Sequence, residues 1–146
     1  MKDTDVVWAA GFFDGEGHVR ISRPCPRKAR YSLAIIIGQV DPRPLSYLRA
    51  LFGGAITSNG PRQRSTHAPA FRWILSGPSA GSFLRAVQPY LRVKDREAAV
   101  GIAFAESYGI APRNVALPQY LTDLRHDLHG QLAVLNRKGA DTDATS

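Results

Sequence analysis

The order of hydrophobic and polar residues along the chain predicts four strands separated by helices. Apolar and polar side chains alternate in residues 18–22, residues 30–39 are β-branched and apolar enough for a second strand, and shorter strand patterns follow at 55–59 and 70–76. The residues that would share the core face are Val19, Ile21, Leu33, Ile35, Ile37, Phe71, Trp73 and Leu75. Because arginine and serine occupy several of the remaining strand positions, we expect a sheet with one buried face and one open face.

Helical spacing of apolar residues surrounds these strand patterns. Helices are predicted at about residues 3–14, 42–52, 78–91, 94–108 and 118–137. The element order is αββαββα with extra C-terminal helices, an α+β fold in which helices cover one face of a four-stranded antiparallel sheet. Residues 138–146 lack apolar anchors and are predicted to be a disordered tail, so that 1–137 forms a single domain.

Positive charge is concentrated in one part of the chain. Between His18 and Arg72 there are ten lysines and arginines and one acid, Asp41, whereas the rest of the chain has nine basic and eleven acidic residues. Such a basic region is typical of a surface that binds a polyanion, most simply nucleic acid. A solvated basic face without a partner is the alternative, but arginine outnumbers lysine here, and arginine suits phosphate and guanine recognition.

The remaining composition narrows the class of protein. Cys25 is the single cysteine, which excludes an internal disulfide and a cysteine-based zinc site and suits a reducing interior. The apolar run at residues 6–13 is too short to span a membrane, and the residues before it do not make a signal peptide. We therefore expect an intracellular protein with no membrane partner and no small-molecule substrate.

The segment from Trp8 to Gly17 combines an apolar helix, a glycine stripe and two acids. Gly11 and Gly15 stand four residues apart and share one helical face, where a second backbone could approach closely. Asp14 and Glu16 fall where the helix is expected to end, because glycine is a poor helix residue. Two such helices packed face to face would bring carboxylates together and attract a divalent cation of the magnesium or calcium kind. An ordinary helix end with acidic residues is the alternative.

Residues 9–17 resemble the LAGLIDADG motif of homing endonucleases, with Ala9 in place of the usual leucine and Glu16 in place of the final aspartate. Because the chain has one copy of the motif, the resemblance is to the single-motif, homodimeric branch. It implies a site-specific double-strand DNA endonuclease with a saddle-shaped sheet, which acts in intron homing on a long pseudo-palindromic site. Metal-dependent phosphodiester hydrolysis would leave 3′ overhangs. Mg²⁺ is the implied cofactor, and Ca²⁺ is expected to support binding without cleavage.

The resemblance also implies roles for individual residues. Glu16 and the carbonyl of Gly15 would bind metal, and Gln39, Arg43 and Lys94 would complete the catalytic pocket. The expected dimer contacts are Trp8, Gly11, Phe12 and Gly15. From the strand pattern and the loop that follows the third strand, the expected DNA contacts on the open face and its margin are Arg20, Ser22, Arg30, Ser32, Thr57, Asn59, Arg62, Arg64 and Arg72.

Two other functions remain open from the sequence. The chain could be a catalytically inactive relative that binds DNA or RNA, as a transcriptional regulator or an intron maturase. It could also be an α+β enzyme with a mononuclear metal site, for which His126 and His129 are the candidate ligands. Histidines at that spacing are more often ordinary helix surface, and no third ligand is near them in the sequence.

Overall fold

Helices and strands follow one another in the predicted order. A computed structural model describes residues 1–26, 29–58, 70–112 and 115–145, with only the backbone for 138–145. The helices are α1 (Asp3–Glu16), α2 (Arg43–Phe52), α3 (Pro78–Val87), α4 (Asp95–Ile110) and α5 (Gln119–Thr145). The strands are β1 (Gly17–Ser22), β2 (Ser32–Gln39), β3 (Ala55–Ser58) and β4 (Phe71–Ser76), and a 3₁₀ turn at Gln88–Tyr90 links α3 to α4. The predicted α+β fold is confirmed.

The strands form one antiparallel sheet in the order β1-β2-β4-β3. Every residue predicted for the core face is buried or packs against the core, and Ile56 of β3 joins them. Helices α1, α3 and α4 contact the central or first strands, α2 contacts β3 and β4, and α5 packs on α4 and along β1. At the centre of the core the ring of Phe83 lies 5.6 Å from Phe13, 4.8 Å from Phe52 and 5.4 Å from Trp73, measured between ring centroids.

Among the element boundaries that differ from the prediction, three bear on the site or on the predicted tail. Helix α1 continues through Gly15 and ends at Glu16, so the acid lies on the last helical turn rather than beyond it. Strand β2 begins at Ser32, where pairing with Ser22 begins, so Arg30 precedes the strand and does not lie on its open face. Helix α5 runs past the predicted end at Arg137, so helical backbone enters the segment for which disorder was predicted.

Packing requires a glycine at position 17, which could not be predicted from the sequence. Its backbone is extended (φ −86°), not left-handed, so any residue could adopt its conformation. A Cβ at Gly17, however, would lie 2.2 Å from the ring of Phe13. The glycine therefore lets the buried Phe13 ring pack directly against the backbone where α1 turns into β1.

We expect Gly17→Ala to lower the free energy of unfolding by about 1–3 kcal/mol, because the added methyl group would displace a buried ring. Gly109→Ala is the matched control, since a Cβ there meets nothing within 4 Å and replaces glycine within a helix. It should leave the stability of the single chain unchanged or slightly higher. Urea unfolding of both variants measures the difference, and equal stabilities would contradict the role given to Gly17.

Candidate active site and nucleic-acid interface

The carboxylate of Asp14 joins the end of α1 to the start of α4. It accepts hydrogen bonds from the backbone N–H groups of Arg92 (2.7 Å), Val93 (3.1 Å) and Lys94 (3.0 Å). The ammonium of Lys94 in turn donates to the backbone carbonyl of Asp14 at 2.7 Å, where the negative end of the α1 dipole favours a cation. These contacts fix the last turn of α1, on which Glu16 lies.

Burial acts to raise the pKa of Asp14, but the three backbone hydrogen bonds and the charge of Lys94 outweigh it. The pKa therefore lies below its usual value of 3.8. Because the folded-state value is lowered, the stability that this ionised group contributes is present above pH 3.8. It is lost as the pH falls through the lowered folded-state pKa.

We expect Asp14→Ala to lower the free energy of unfolding at pH 7 by about 2–4 kcal/mol, because three N–H groups lose a charged acceptor. The exposed Asp127, changed to alanine, is the control and should alter stability by less than about 0.5 kcal/mol. Urea unfolding at pH 7 and at lower pH measures both. The Asp14 difference should begin to shrink below pH 3.8, and a difference that is constant with pH would rule out this account.

Glu16 lies at a cleft of about 550 Å³ between the end of α1 and the adjoining ends of β2 and β4. Gln39 and Arg72 line the same cleft, together with the backbone around Gly38. Glu16 is exposed, whereas Gln39 and Arg72 are half-buried. A carboxylate, an amide and a guanidinium therefore share one open depression beside the uncovered face of the sheet.

Arg43 is not brought into this cleft. Its side chain is 89% exposed and pairs with Asp41, the shortest N–O distance being 2.6 Å. The hydrogen bonds from Arg43 lower the pKa of Asp41 to about 2. The local sequence accounts for this, because Asp41 stands two residues before Arg43 and accepts both its backbone N–H and its guanidinium. Of the three predicted pocket partners, Gln39 lines the cleft, Lys94 binds the last turn of α1, and Arg43 points elsewhere.

The uncovered face of the sheet is basic at its margins and apolar in its centre. In the register of the sheet Gly38, Arg72 and Thr57 lie side by side next to the cleft, followed by a row with His18, Ile36 and Ile74. Arg20 lies beside Ala34, and Ser22 beside Ser32, further from the cleft. Arg20, Ser22, Ser32, Thr57 and Arg72 therefore occupy the open face as predicted, whereas Asn59, Arg62 and Arg64 lie outside the described residues.

His18 lies in a positive part of this face. Desolvation lowers the pKa of His18, and the charges of Arg20, Lys94 and Arg72 lower it further. A positive field at this position favours an anion and disfavours the imidazolium ion. The cleft and the open face thus form one continuous electropositive region.

The side of α1 that bears Trp8 presents an exposed aromatic patch. Trp8 stacks on Phe12 with ring centroids 5.4 Å apart and meets Tyr47 of α2 edge-on at 5.1 Å. Trp8 is 37% exposed and Tyr47 46% exposed. A Cβ at Gly11 or Gly15 would meet nothing within 4 Å, so both glycines face open space in the single chain. The four predicted dimer contacts therefore lie on the accessible side of α1.

The alternative histidine site is not assembled in the described part of the chain. The Nδ1 of His126 is 2.6 Å from the hydroxyl of Tyr31, and the ring of His129 packs on the same tyrosine. No group of three or more His, Cys, Asp or Glu side chains is placed to hold a metal ion among the described residues. The histidine pair thus contacts Tyr31, the residue before β2, rather than other metal ligands among the described residues. Among the same residues, no helix is long and apolar enough to cross a membrane.

Three of the solved structures that share this architecture are those of homing endonucleases. The homing endonuclease I-CvuI in complex with its target superposes with a TM-score of 0.67 and 16% identity over 91% of this chain and 82% of that chain. The archaeal intron-encoded homing endonuclease I-Vdi141I, complexed with DNA, gives 0.62 and 15% over 94% and 98%. The I-SmaMI LAGLIDADG homing endonuclease bound to cleaved DNA gives 0.60 and 19% over 86% and 42%. The chain has the LAGLIDADG endonuclease fold.

No protein-family model and no curated protein sequence matches the chain. Since the structural neighbours are 15–19% identical, the likeness establishes the fold, and activity has to be argued from the site. Within the LAGLIDADG fold, the motif residues 9–17 form the end of α1 and the start of β1. The sequence pattern assigned metal binding to Glu16 and no role to Asp14, whose carboxylate accepts hydrogen bonds from three backbone N–H groups. Because Asp14 and Glu16 carry the same charge, the sequence alone could not show which of them is the structural acceptor and which lines the cleft.

Proposed function

We propose that this protein is a DNA endonuclease that acts as a homodimer and cuts both strands of a long pseudo-palindromic site. The observation that carries the proposal is the position of Glu16. It is an exposed acid on a rigidly held helix end, in a cleft with Gln39 and Arg72, next to an arginine-bearing sheet face. Hydrolytic cleavage of DNA needs this combination of a metal-binding acid and a surface that binds phosphates.

The dimensions of the open face suit the major groove. The eight residues of β2 extend over about 26 Å at 3.3 Å per residue, which corresponds to roughly eight base pairs. Arg20 and Arg72 would contact phosphates or guanine edges, and the half-buried Ile74 would face thymine methyl groups. The further DNA contacts that we propose are Ser22, Ser32, Thr57, Asn59, Arg62 and Arg64. One subunit would read half of the site.

A second copy of the chain would complete the site. Two α1 helices packed through Gly11 and Gly15 would cover the exposed Trp8, on which the partly buried Phe12 stacks. A twofold axis at this contact would bring one Glu16 from each subunit close to the same duplex. The I-SmaMI chain, of which this chain covers 42%, has a length that could hold two copies of the fold.

The donor atoms at the end of α1 fit a hard divalent cation. Glu16 supplies an exposed carboxylate, and the carbonyl of Gly15 lies in the last helical turn, where carbonyls lack helical partners. Carboxylate and carbonyl oxygens are the ligands that Mg²⁺ and Ca²⁺ prefer. When bound, Mg²⁺ would lower the pKa of a coordinated water and stabilise charge on the departing oxygen. The larger Ca²⁺ ion is expected to support DNA binding without cleavage.

The remaining residues of the cleft would act on water and on charge. The Gln39 amide could orient a water next to Glu16, because both line the same depression. Arg72 would offset negative charge at the phosphate in the transition state, and Lys94 would add its field from the adjacent turn. Each subunit would cut one strand, and the resemblance implies staggered breaks with 3′ overhangs.

Arg72, rather than Arg43, is expected to be the arginine that supports cleavage. We expect Arg72→Gln to reduce the cleavage rate by about 10²-fold, because a positioned cation in the cleft is removed. Arg43→Gln is the matched control and should stay within about threefold of the wild type, because Arg43 is exposed and bound to Asp41. Single-turnover cleavage at saturating protein measures both rates. A larger loss of cleavage rate in Arg43→Gln than in Arg72→Gln would indicate that Arg43, and not Arg72, supports cleavage.

A randomised duplex library separates cutting from binding. In Mg²⁺ the protein should convert part of the library to cut ends, and in Ca²⁺ it should retain the same sequences intact. Retention of specific sequences in both metals without any cut would identify an inactive DNA-binding relative instead. An RNA library run in parallel tests the maturase alternative, and selective retention of RNA alone would contradict the proposal.

A further inference from the structure

A second cavity lies at the opposite end of β2 from Glu16. It has a volume of about 590 Å³ and is bounded by the start of β2, the end of α4 and the middle of α5. Arg30, Tyr31 and Ser32 line it on the strand side, and Tyr108 and Arg125 line it on the helix side. The lining includes two arginines and no acid, so its charge is positive.

Arg125 is buried, at 1% exposure, and none of the described residues supplies a counter-ion for its charge. Its Nε donates to the hydroxyl of Ser107 at 2.8 Å, and its guanidinium carbon lies 5.0 Å from the ring centroids of both Phe104 and Tyr108. Its Nη2 is buried and has no hydrogen-bond partner among the described residues. In the same part of the chain no carboxylate forms an ion pair with it.

A buried guanidinium in this state has lost its hydration without gaining a paired anion among the described residues. Burial lowers the pKa of Arg125; the interaction with Tyr108 opposes this effect, and the nearby charge of Arg30 adds to it. Aromatic faces compensate part of the lost hydration, but a second cation beside the cavity adds repulsion. An anion in the cavity would remove both penalties, because it would pair with Arg125 and separate it from Arg30.

The donors around the cavity converge from different elements. Arg30 comes from the approach to β2 and uses one nitrogen to donate to the carbonyl of Val115, which leaves other guanidinium N–H groups free to bind a ligand. The Tyr108 hydroxyl accepts from the N–H of Leu33 at 2.9 Å and can still donate its own proton. Donors arriving from α4, α5 and β2 suit a tetrahedral oxyanion better than a planar carboxylate.

We propose that this cavity is a binding site for a phosphoryl oxyanion, held between Arg30 and Arg125 with the Tyr108 hydroxyl as a further donor. The site is separate from the Glu16 cleft and does not depend on nuclease activity. The phosphoryl group could belong to free phosphate or to the backbone of a duplex on the open face, because Ser32 borders both the cavity and that face.

Thermal unfolding in sodium phosphate, compared with sodium chloride at matched ionic strength, tests the site. At ten times its dissociation constant, phosphate should raise the Tm of the wild type by about 4 °C. Arg30→Gln, at the half-buried edge of the cavity, and Arg125→Met should abolish this shift. Arg85→Gln, an exposed arginine on α3 away from the cavity, is the control and should keep it.

Two results would overturn the proposal: no phosphate-specific shift in the wild type, or an undiminished shift in Arg30→Gln. Arg30→Gln is essential because it changes only the edge of the cavity, whereas Arg125→Met alters a buried position. Duplex binding without divalent metal then assigns the source of the phosphoryl group. If phosphate at matched ionic strength weakens duplex binding about tenfold in the wild type but not in Arg30→Gln, the cavity takes a backbone phosphate. An unchanged affinity assigns it to free phosphate.

Discussion

Glu16→Gln should keep specific DNA binding and lose cleavage in Mg²⁺, by about 10³-fold or more. The amide has nearly the size and shape of the carboxylate, but it lacks the negative charge that holds a divalent cation. Glu16 is exposed at the cleft and makes no contact that the fold requires, so the variant should unfold at the same temperature as the wild type. Binding should be equal or tighter, because removal of an acid near phosphates lowers repulsion.

Glu106→Gln is the matched control for this experiment. Glu106 is an exposed acid on α4, away from the cleft, and the same chemical change there should leave the rate within about twofold. Single-turnover cleavage in Mg²⁺ and duplex binding in Ca²⁺ together measure the two properties. Cleavage by Glu16→Gln at the wild-type rate would remove Glu16 from the mechanism.

Gly11→Leu should convert the protein from dimer to monomer and abolish double-strand cleavage without destabilising the single chain. A side chain at Gly11 meets nothing within 4 Å in one chain, and leucine is a better helix residue than glycine by about 1 kcal/mol. In the proposed dimer the same side chain would stand where the partner's backbone approaches. Sedimentation velocity measures the association state, and thermal unfolding confirms that the monomer is intact.

Gly109→Leu controls for the change of helix propensity. Gly109 lies on α4, is exposed, and also has open space around its Cβ position. This variant should remain a dimer and cut DNA as the wild type does. If Gly11→Leu also sediments as the wild type does, the face of α1 that bears Gly11 and Gly15 is not the subunit contact.

The alternation of strand residues made the sheet predictable. The buried residues of β1 and β4 are those expected from their parity, because a strand with one buried face repeats every two residues, whereas the central strand β2 is also buried at Ala34 and Ile36. Gly53 and Gly54 end α2 as expected, with φ values of +84° and +91°. The proximity of Glu16 and Gln39 was also predictable, because the motif fixes the position of Glu16 and the end of β2 places Gln39 beside it.

The remaining features depend on contacts between residues distant in sequence. Asp14 and Glu16 are both acids near the end of α1. Only the docking of residues 92–94 makes Asp14 a structural hydrogen-bond acceptor. Arg43 was expected in the pocket, but a nearer acid, Asp41, holds it at the surface. The buried state of Arg125 is set by the packing of α5 on α4, which the periodicity of one helix does not specify.

The positions of the breaks that the wild-type protein makes in a randomised duplex library test the central claim most directly. The account predicts cuts in both strands, in Mg²⁺ only, at a fixed stagger about the centre of an inverted repeat with half-sites of roughly eight base pairs. This pattern requires two chains related by a twofold axis, each with one Glu16 at the duplex. The absence of cuts, or cuts in one strand without symmetry in the flanking sequence, would contradict it.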